Sequence, residues 1–242
     1  MYIYLSLIME NTKNVNSKAS AVPKGIERMK TGVSGLDKLI KGGFIKGATI
    51  LVSGGTGAGK SIFSMQYLWE GLQSGESCVY ITLEETAEDL RQDALVFGWD
   101  FKEYEKKGKF KFIEKNILED TNFEFFDMDN MKASRVVIDS ISLLSLVVED
   151  KSSMRGRLKE LIKSLKERKL TTLLVSESLD EKHLSILGIE EFVADGVIIL
   201  KYTSVGAQAG RLLFIRKMRR TNHSEKLHPI KIGNKGIQIL SV

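Results

Sequence analysis

Cysteine is nearly absent from this chain of 242 residues. The lone Cys78 excludes an intrachain disulfide framework and fits a reducing, cytoplasmic setting. Histidine is scarce as well, and His183, His223 and His228 with one cysteine leave no metal-ligand spacing, which excludes a structural zinc site. There are only two prolines and no low-complexity stretch, so a long disordered linker is not expected. Aromatic content of 8% leaves no basic run interleaved with aromatics of the kind that stacks single-stranded bases. Long apolar runs are missing too. Met1–Met9 is apolar, but it is too short to cross a bilayer and lacks a basic flank of signal-peptide type, so no membrane partner is expected. We read Met9 as the physiological start and residues 1–28 as a flexible polar tail. Charge is unbalanced only mildly, with a net +5 and a pI near 9.1. That suits a polyanionic partner without demanding one.

Glycine, in contrast, is concentrated where it carries information. Gly54-Gly55-Thr56-Gly57-Ala58-Gly59-Lys60-Ser61 satisfies the phosphate-loop pattern G-x-x-x-x-G-K-[ST]. Glycines let consecutive backbone N–H groups turn inward around a phosphate, and the following helix adds the positive end of its dipole. Lys60 can reach the β- and γ-phosphates, and the Ser61 hydroxyl is placed to ligate Mg²⁺. Thr56, Gly57, Ala58, Gly59, Lys60, Ser61 and Ile62 are therefore expected to contact ATP. The context agrees. Thr49–Ser53 is an apolar run before the loop, and Ile62, Met65, Trp69 and Leu72 follow it near helical period.

Beyond residue 30, short apolar runs alternate with helical patterns. Thr49–Ser53, Cys78–Leu83, Phe110–Ile113, Val136–Asp139, Thr172–Ser176 and Val197–Leu200 lack period-2 alternation, which predicts strands buried on both faces of a largely parallel sheet. Helices are expected over Lys60–Gln73, over Ala87–Phe97 behind a Thr86-x-x-Asp89 cap, and over Met154–Arg168. Leu212–Lys217, Pro229–Ile232 and Ile237–Leu240 are separated by turn residues and read as an antiparallel extension. The expectation is one α/β domain over residues 29–242.

In a parallel sheet the ligand crevice lies at the carboxyl ends of the strands, and this locates further candidates. Asp139 closes an apolar strand and would hold a Mg²⁺-bound water, unless it only caps the next helix. Glu84-Glu85 closes another strand, where a carboxylate can orient or deprotonate the attacking water; the alternative is a helix-start pair favourable to the dipole. Ser176-Glu177 ends a third strand and could sense the γ-phosphate. Lys217 and Arg219 alternate along a strand end and so share a face. They could complete a phosphoryl-transfer site from a neighbouring subunit, contact a nucleic-acid backbone, or form a solvated basic edge. The lysines at 102, 106, 107, 109, 111 and 115 read as a solvated face.

Taken together these residues resemble the KaiC-like branch of the RecA/RadA ATPases. The resemblance runs from Met29 to Leu240. It rests on Thr31-Gly32-Val33-Ser34-Gly35-Leu36-Asp37, the phosphate loop, Thr82-Leu83-Glu84-Glu85-Thr86, Phe97-Gly98-Trp99-Asp100, Glu190-Glu191-Phe192-Val193-Ala194-Asp195 and Lys217-x-Arg219-x-Thr221-x-His223. It implies a RecA-like P-loop NTPase fold and a homo-oligomer, a hexameric ring with ATP between subunits. It also implies that Glu84 and Glu85 are the catalytic carboxylates, that Lys217 and Arg219 reach the neighbour's γ-phosphate, and that Thr221, His223 and Asn234 line the neighbour's nucleotide. Tandem members of the family carry two such domains, and one half phosphorylates its own hydroxyl pair. Glu191-Phe192 stands at those positions here, so autophosphorylation is not expected. Residues 1–43 contain no phenylalanine and are too few for the N-terminal module of strand-exchange recombinases. Two functions follow as expectations. One is a slow Mg²⁺-dependent ATPase that switches an assembly or recruits a protein signalling partner; the other is a recombinase-paralogue module that binds single-stranded DNA.

Overall fold

The computed structural model describes residues 25–117, 133–148, 150–178, 184–205 and 208–240. Nearly all of the expected tail, including the proposed start at Met9, lies outside them. Arg28 does not behave as tail. Its guanidinium donates to the carbonyls of Ile40 (3.1 Å) and Gly43 (2.9 Å), and Arg28–Met29 (β1) pairs with Phe44–Ile45 (β2) in a small antiparallel ribbon. Arg28, one residue ahead of the expected boundary, is tied to the fold by its side chain and by the ribbon.

Among the described residues the main sheet has nine strands. In chain order they are β3 (Thr49–Gly54), β4 (Cys78–Thr82), β5 (Phe110–Glu114), β6 (Arg135–Asp139), β7 (Thr171–Glu177), β8 (Gly196–Val205), β9 (Gln208–Met218), β10 (Leu227–Gly233) and β11 (Gly236–Ile239). Their spatial order is β11-β10-β9-β8-β3-β7-β6-β4-β5. The six strands from β8 to β5 are parallel, and β9, β10 and β11 extend the sheet antiparallel from β8. Every residue of β3 and β4 is buried, as strands covered on both faces must be.

One face carries the helix Lys60–Gln73 and the helices Ala87–Leu95 and Phe101–Lys106; the other carries the helix Lys151–Glu167. The helix expected to reach Phe97 stops at Leu95, and Thr86 caps its start by accepting from the Asp89 N–H. The helix expected from Met154 begins three residues earlier, where the Asp150 carboxylate accepts from the Ser152 and Ser153 N–H groups. Four short helices, Leu36–Leu39, Phe101–Lys106, Ile141–Leu146 and Glu190–Val193, had no periodic signal because each spans six residues or fewer.

Arg135 ties the far end of the sheet together. It is 1% exposed and lies 4.6 Å over the Tyr67 ring. Its Nε and Nη2 pair with Glu76 at 2.8 and 2.9 Å, and its Nη1 donates to the carbonyls of Lys30 and Tyr67. A Cβ on Gly71 would sit 2.5 Å from the Arg135 Nε, so the helix approaches the guanidinium only because residue 71 has no side chain. Removing one partner of such a buried pair strands the other. Arg135→Ala is expected to cost about 3–5 kcal/mol, and Arg135→Lys should not restore it because a single ammonium cannot reproduce the fork. Urea unfolding of the two variants checks this.

Candidate functional site

The parallel register gathers the sequence candidates at one edge. β3 delivers Gly54 beside Glu177 of β7, and β4 delivers Thr82 beside Asp139 of β6, with Glu84 and Glu85 just beyond. Between them lies a cleft of about 380 Å³ whose lining includes Thr56, Gly57, Gly59, Lys60, Ser61, Ile62, Glu84, Glu85, Asp139 and Glu177.

The loop turns through left-handed residues: Gly57 has φ 72° and Gly59 has φ 100°, which side chains rarely adopt. Gly59 is also the N-cap of the helix Lys60–Gln73, and no side chain caps that end. Its first-turn N–H groups are therefore available to an anion. Ala58 is buried beneath the loop rather than lining the cleft, so any contribution from it is through its backbone. The Lys60 ammonium folds back on the loop, donating to the carbonyls of Gly54 (2.9 Å) and Gly55 (3.1 Å).

Asp139 Oδ2 is held by two hydroxyls, the Ser61 Oγ at 3.1 Å and the Tyr80 OH at 2.5 Å. Burial pushes its carboxyl above the usual range, and the charge of Glu177 adds to this; the two hydroxyls and Lys60 pull the other way. Glu84 and Glu85 are raised as well. For Glu84 burial leads and Glu177 and Asp139 add, against the Ser140 hydroxyl 3.2 Å from its Oε1. For Glu85 burial again leads, followed by Asp139, Asp93, Glu84 and Asp89. The two glutamates differ locally: the backbone of Glu85 is pinned to the Thr82 hydroxyl by two hydrogen bonds.

Ser176 and Glu177 part company. The Glu177 carboxylate faces the cleft, but the Ser176 hydroxyl turns inward and donates to the buried Glu190 at 2.9 Å. Arg211 was not anticipated. It extends over the loop from β9, with its Nε 3.0 Å from the Gly57 carbonyl and its guanidinium over the Tyr202 ring. Nothing in its local sequence marked it, because only the β8–β9 pairing brings it there. Tyr80 was legible only as a core residue of an apolar strand.

Lys217 and Arg219 lie elsewhere. β9 runs antiparallel to β8, so Met218 pairs with Gly196, which itself pairs with Ile50 at the opposite end of β3 from the loop. Four residues separate Ile50 from Gly54, where the loop begins, which at about 3.3 Å per residue is roughly 13 Å. The two cations do share a face. Lys217 Nζ donates to the carbonyls of Glu191 (3.0 Å) and Ala194 (2.6 Å), and Arg219 meets the Asp195 carboxylate at 3.5 Å. Asp195 also holds Lys166 at 2.7 Å; although burial acts against it, these contacts keep its carboxyl below the usual range. Burial, and then Arg219, lowers the Lys217 ammonium. Thr221 and His223 stay at this end: Thr221 Oγ1 accepts from Arg28 at 3.1 Å, and His223 Nδ1 lies 3.0 Å from the Ser224 carbonyl. Asn234 does not join them. It occupies the turn between β10 and β11, whose Ile232 and Ile237 approach Gly59, and so belongs to the phosphate-loop end.

Among the described residues no helix is long and apolar enough to cross a membrane. A profile of the KaiC ATPase family matches residues 29–242. A UPF0273 protein of Pyrococcus furiosus is 36% identical over 233 residues, 88% of this chain and 93% of that protein. The circadian clock protein KaiC3 of Synechocystis is 34% identical over 232 residues, 89% of this chain; the match spans 46% of the clock protein's own length. Among solved structures, a KaiC-like protein of Pyrococcus horikoshii superposes with a TM-score of 0.81 at 41% identity, covering 89% of this chain and all of that one.

The raised carboxyl of Asp139 has a consequence for stability. Such a group favours folding below its unfolded value near 3.9 and loses that contribution as pH rises through its folded value. Asp139→Asn keeps an oxygen for Ser61 and Tyr80 and removes the charge. Without nucleotide the variant should melt higher than wild type at pH 7, with the gap closing near pH 4. Thermal unfolding at the two pH values checks the sign.

Proposed function

The chain belongs to the KaiC ATPase family, and from that premise we propose that it is a Mg²⁺-dependent ATPase with slow turnover, acting as an oligomeric switch that engages a protein signalling partner. The convergence of Lys60, Ser61, Asp139, Glu84 and Glu85 on one cleft carries this reading. Magnesium takes one or two protein oxygens together with substrate phosphates, and the Ser61 hydroxyl beside the Asp139 carboxylate fits that donor set. Among the described residues no group of three or more His, Cys, Asp or Glu could hold a metal without such help. When bound, the ion neutralises charge on the β- and γ-phosphate oxygens.

The chain's own residues do the rest. Lys60 exchanges the Gly54 and Gly55 carbonyls for the phosphates, and the loop N–H groups hold their oxygens. A carboxylate whose proton affinity is raised by burial is a stronger base, which suits Glu84 or Glu85 to take a proton from the attacking water. The Ser140 hydroxyl steadies Glu84 for that task. Lys217 and Arg219 sit at the opposite end of the sheet from their own loop, roughly 13 Å away along β3, which supports their acting on the nucleotide of an adjacent subunit in a hexameric ring. Thr221 and His223 would line that same nucleotide, whereas Asn234 is assigned to the chain's own cleft. Glu191 and Phe192 offer no hydroxyl, so the reading includes no autokinase step. Single-stranded DNA binding is the second reading. It is favoured by a basic groove around the exposed Phe192, and its mark would be affinity falling steeply with salt.

Two measurements test the leading reading. The double variant Glu84→Gln/Glu85→Gln should retain ATP with near-normal affinity and lose at least a hundredfold in turnover, whereas Lys60→Ala should lose binding. Wild-type turnover in the glutamine variant would reduce the pair to a helix start. In the second, subunits carrying Lys60→Ala and subunits carrying Arg219→Ala are each expected to be inactive. Their mixture should regain part of the activity at junctions that join an intact loop to an intact arginine. Failure to regain activity under verified subunit exchange would rule out the shared site.

A further inference from the structure

The cleft draws one of its hydrogen bonds from inside the core. Tyr80 stands in the middle of β4, wholly buried among the apolar residues of the sheet face that the helix Lys60–Gln73 covers. Its ring lies 5.5 Å from that of Phe112 on β5, and its neighbour on β6 is Val137. Asp139 follows Val137 by two residues, so its side chain leaves the sheet on the same face, about 7 Å further along. A tyrosine spans that distance. The Tyr80 OH donates to Asp139 Oδ2 at 2.5 Å, and Ser61, at the head of the helix Lys60–Gln73, donates to the same oxygen at 3.1 Å. Two elements thus grip the carboxylate at Oδ2, and neither bond takes Oδ1.

We propose that Tyr80 is a positioning residue of the cation site. Its buried hydroxyl holds the Asp139 carboxylate in the orientation that a small divalent ion bound with nucleotide requires, and so sets both the affinity for Mg²⁺ and the preference over Ca²⁺. This rests on the reading that Ser61 and Asp139 receive Mg²⁺ together with the nucleotide. Three observations carry it. The first is the hydroxyl itself. The ring alone would fill the core, and from Cys78 to Ile81 the rest of β4 is apolar; a hydroxyl buried there must be paired, and its partner is Asp139. The second is rigidity. β4 is paired on both sides, by β5 and β6, so Tyr80 cannot follow the carboxylate if it turns. The third is position. Ser61 lines the cleft and is itself a candidate ligand, whereas Tyr80 lies behind the lining, so its hold on Oδ2 does not depend on what fills the cleft. Outer donors that orient a metal-binding carboxylate are typically worth about ten- to a hundredfold in affinity. Mg²⁺ demands near-octahedral geometry and Ca²⁺ accepts a looser shell, so a carboxylate free to turn penalises the smaller ion more.

Tyr80→Phe tests this in the full chain, with Mn²⁺ as the probe and a non-hydrolysable ATP analogue as the nucleotide. Free Mn²⁺ is read by electron paramagnetic resonance. The variant keeps the ring, and its affinity for a fluorescent ATP analogue in EDTA should match wild type, which shows the loop intact. Its Mn²⁺ affinity in the nucleotide complex should fall at least about tenfold. Competition against that signal should show Mg²⁺ weakened equally and Ca²⁺ by less than about threefold. In an Asp139→Asn chain the same substitution should cost nothing further, because its effect passes through the carboxylate. The proposal is overturned if folded Tyr80→Phe binds Mn²⁺ like wild type, if Mn²⁺ and Ca²⁺ weaken alike, or if nucleotide binding in EDTA falls as well. A further loss in the Asp139→Asn chain also overturns it. If Tyr80→Phe does not fold, 3-fluorotyrosine placed at residue 80 keeps the hydroxyl and reports on it. Its ¹⁹F resonance should shift when Mg²⁺ joins the nucleotide complex, and an unmoved resonance overturns the proposal. A wild-type nucleotide complex that holds no Mn²⁺ removes both this role and the Mg²⁺-dependent ATPase reading. Wild-type Mn²⁺ affinity in folded Tyr80→Phe removes this role alone.

Discussion

Everything at the cleft depends on the parallel ladder through β8, β3, β7, β6, β4 and β5. Parallel pairing sends the carboxyl ends of the strands to one edge, and the registers Gly54 to Glu177 and Thr82 to Asp139 fix which residues meet there. Residues 78 apart in sequence then sit within hydrogen-bond reach, as Ser61 and Asp139 do. The ladder is held in turn by burial on both faces, so the chemistry stands on the least deformable part of the molecule. Arg135 locks the opposite end by joining the start of β6 to Glu76 and to the Lys60–Gln73 helix. The helix that presents Lys60 and Ser61 is thereby anchored midway along its length, at Tyr67.

Concentrating carboxylates at that edge has an electrostatic cost. Glu84, Glu85, Asp139 and Glu177 face the cleft, while Lys60 and Arg211 are the cations on its lining. The acids raise one another's proton affinity, and partial desolvation raises it further, although Glu84 and Glu85 keep much of their contact with solvent. Hydroxyl donors offset part of this: Tyr80 and Ser61 for Asp139, and Ser140 for Glu84. The donors leave a net negative site. Such a site gains from a divalent cation more than from another hydrogen bond. Strain of this kind is tolerated where function requires it.

The sheet was readable because buried parallel strands leave unbroken apolar runs: all nine strands of the main sheet coincide with predicted segments, with end shifts of a few residues. The long β8–β9 hairpin was underestimated because beyond Leu200 its residues are Lys201, Tyr202 and Thr203, outside the apolar signal. The phosphate loop, Asp139 and Glu84-Glu85 were visible for a different reason, since each is a local pattern attached to a strand end. Arg211, Tyr80 and Ser140 were not, because their importance comes from pairings between distant segments that no window contains. The misplacement of Asn234 has the same origin. Its hairpin doubles back along β9, so residues near His223 in sequence finish at the other end of the sheet.

That doubling back also explains the shape of the charge distribution. β9 leaves the phosphate-loop end with Arg211 and reaches the far end with Lys217 and Arg219, so one strand supplies cations to both ends. Strand geometry forbids the far pair from serving the near cleft, because a strand cannot shorten. Their local partners, the Glu191 and Ala194 carbonyls and the Asp195 carboxylate, hold them in place without consuming every donor on either cation. A cation fixed at the rim, beside an exposed phenylalanine and a basic helix, is poised to act outward. The donors left on Lys217 and Arg219 are what the proposed shared site would offer to an adjacent subunit's nucleotide.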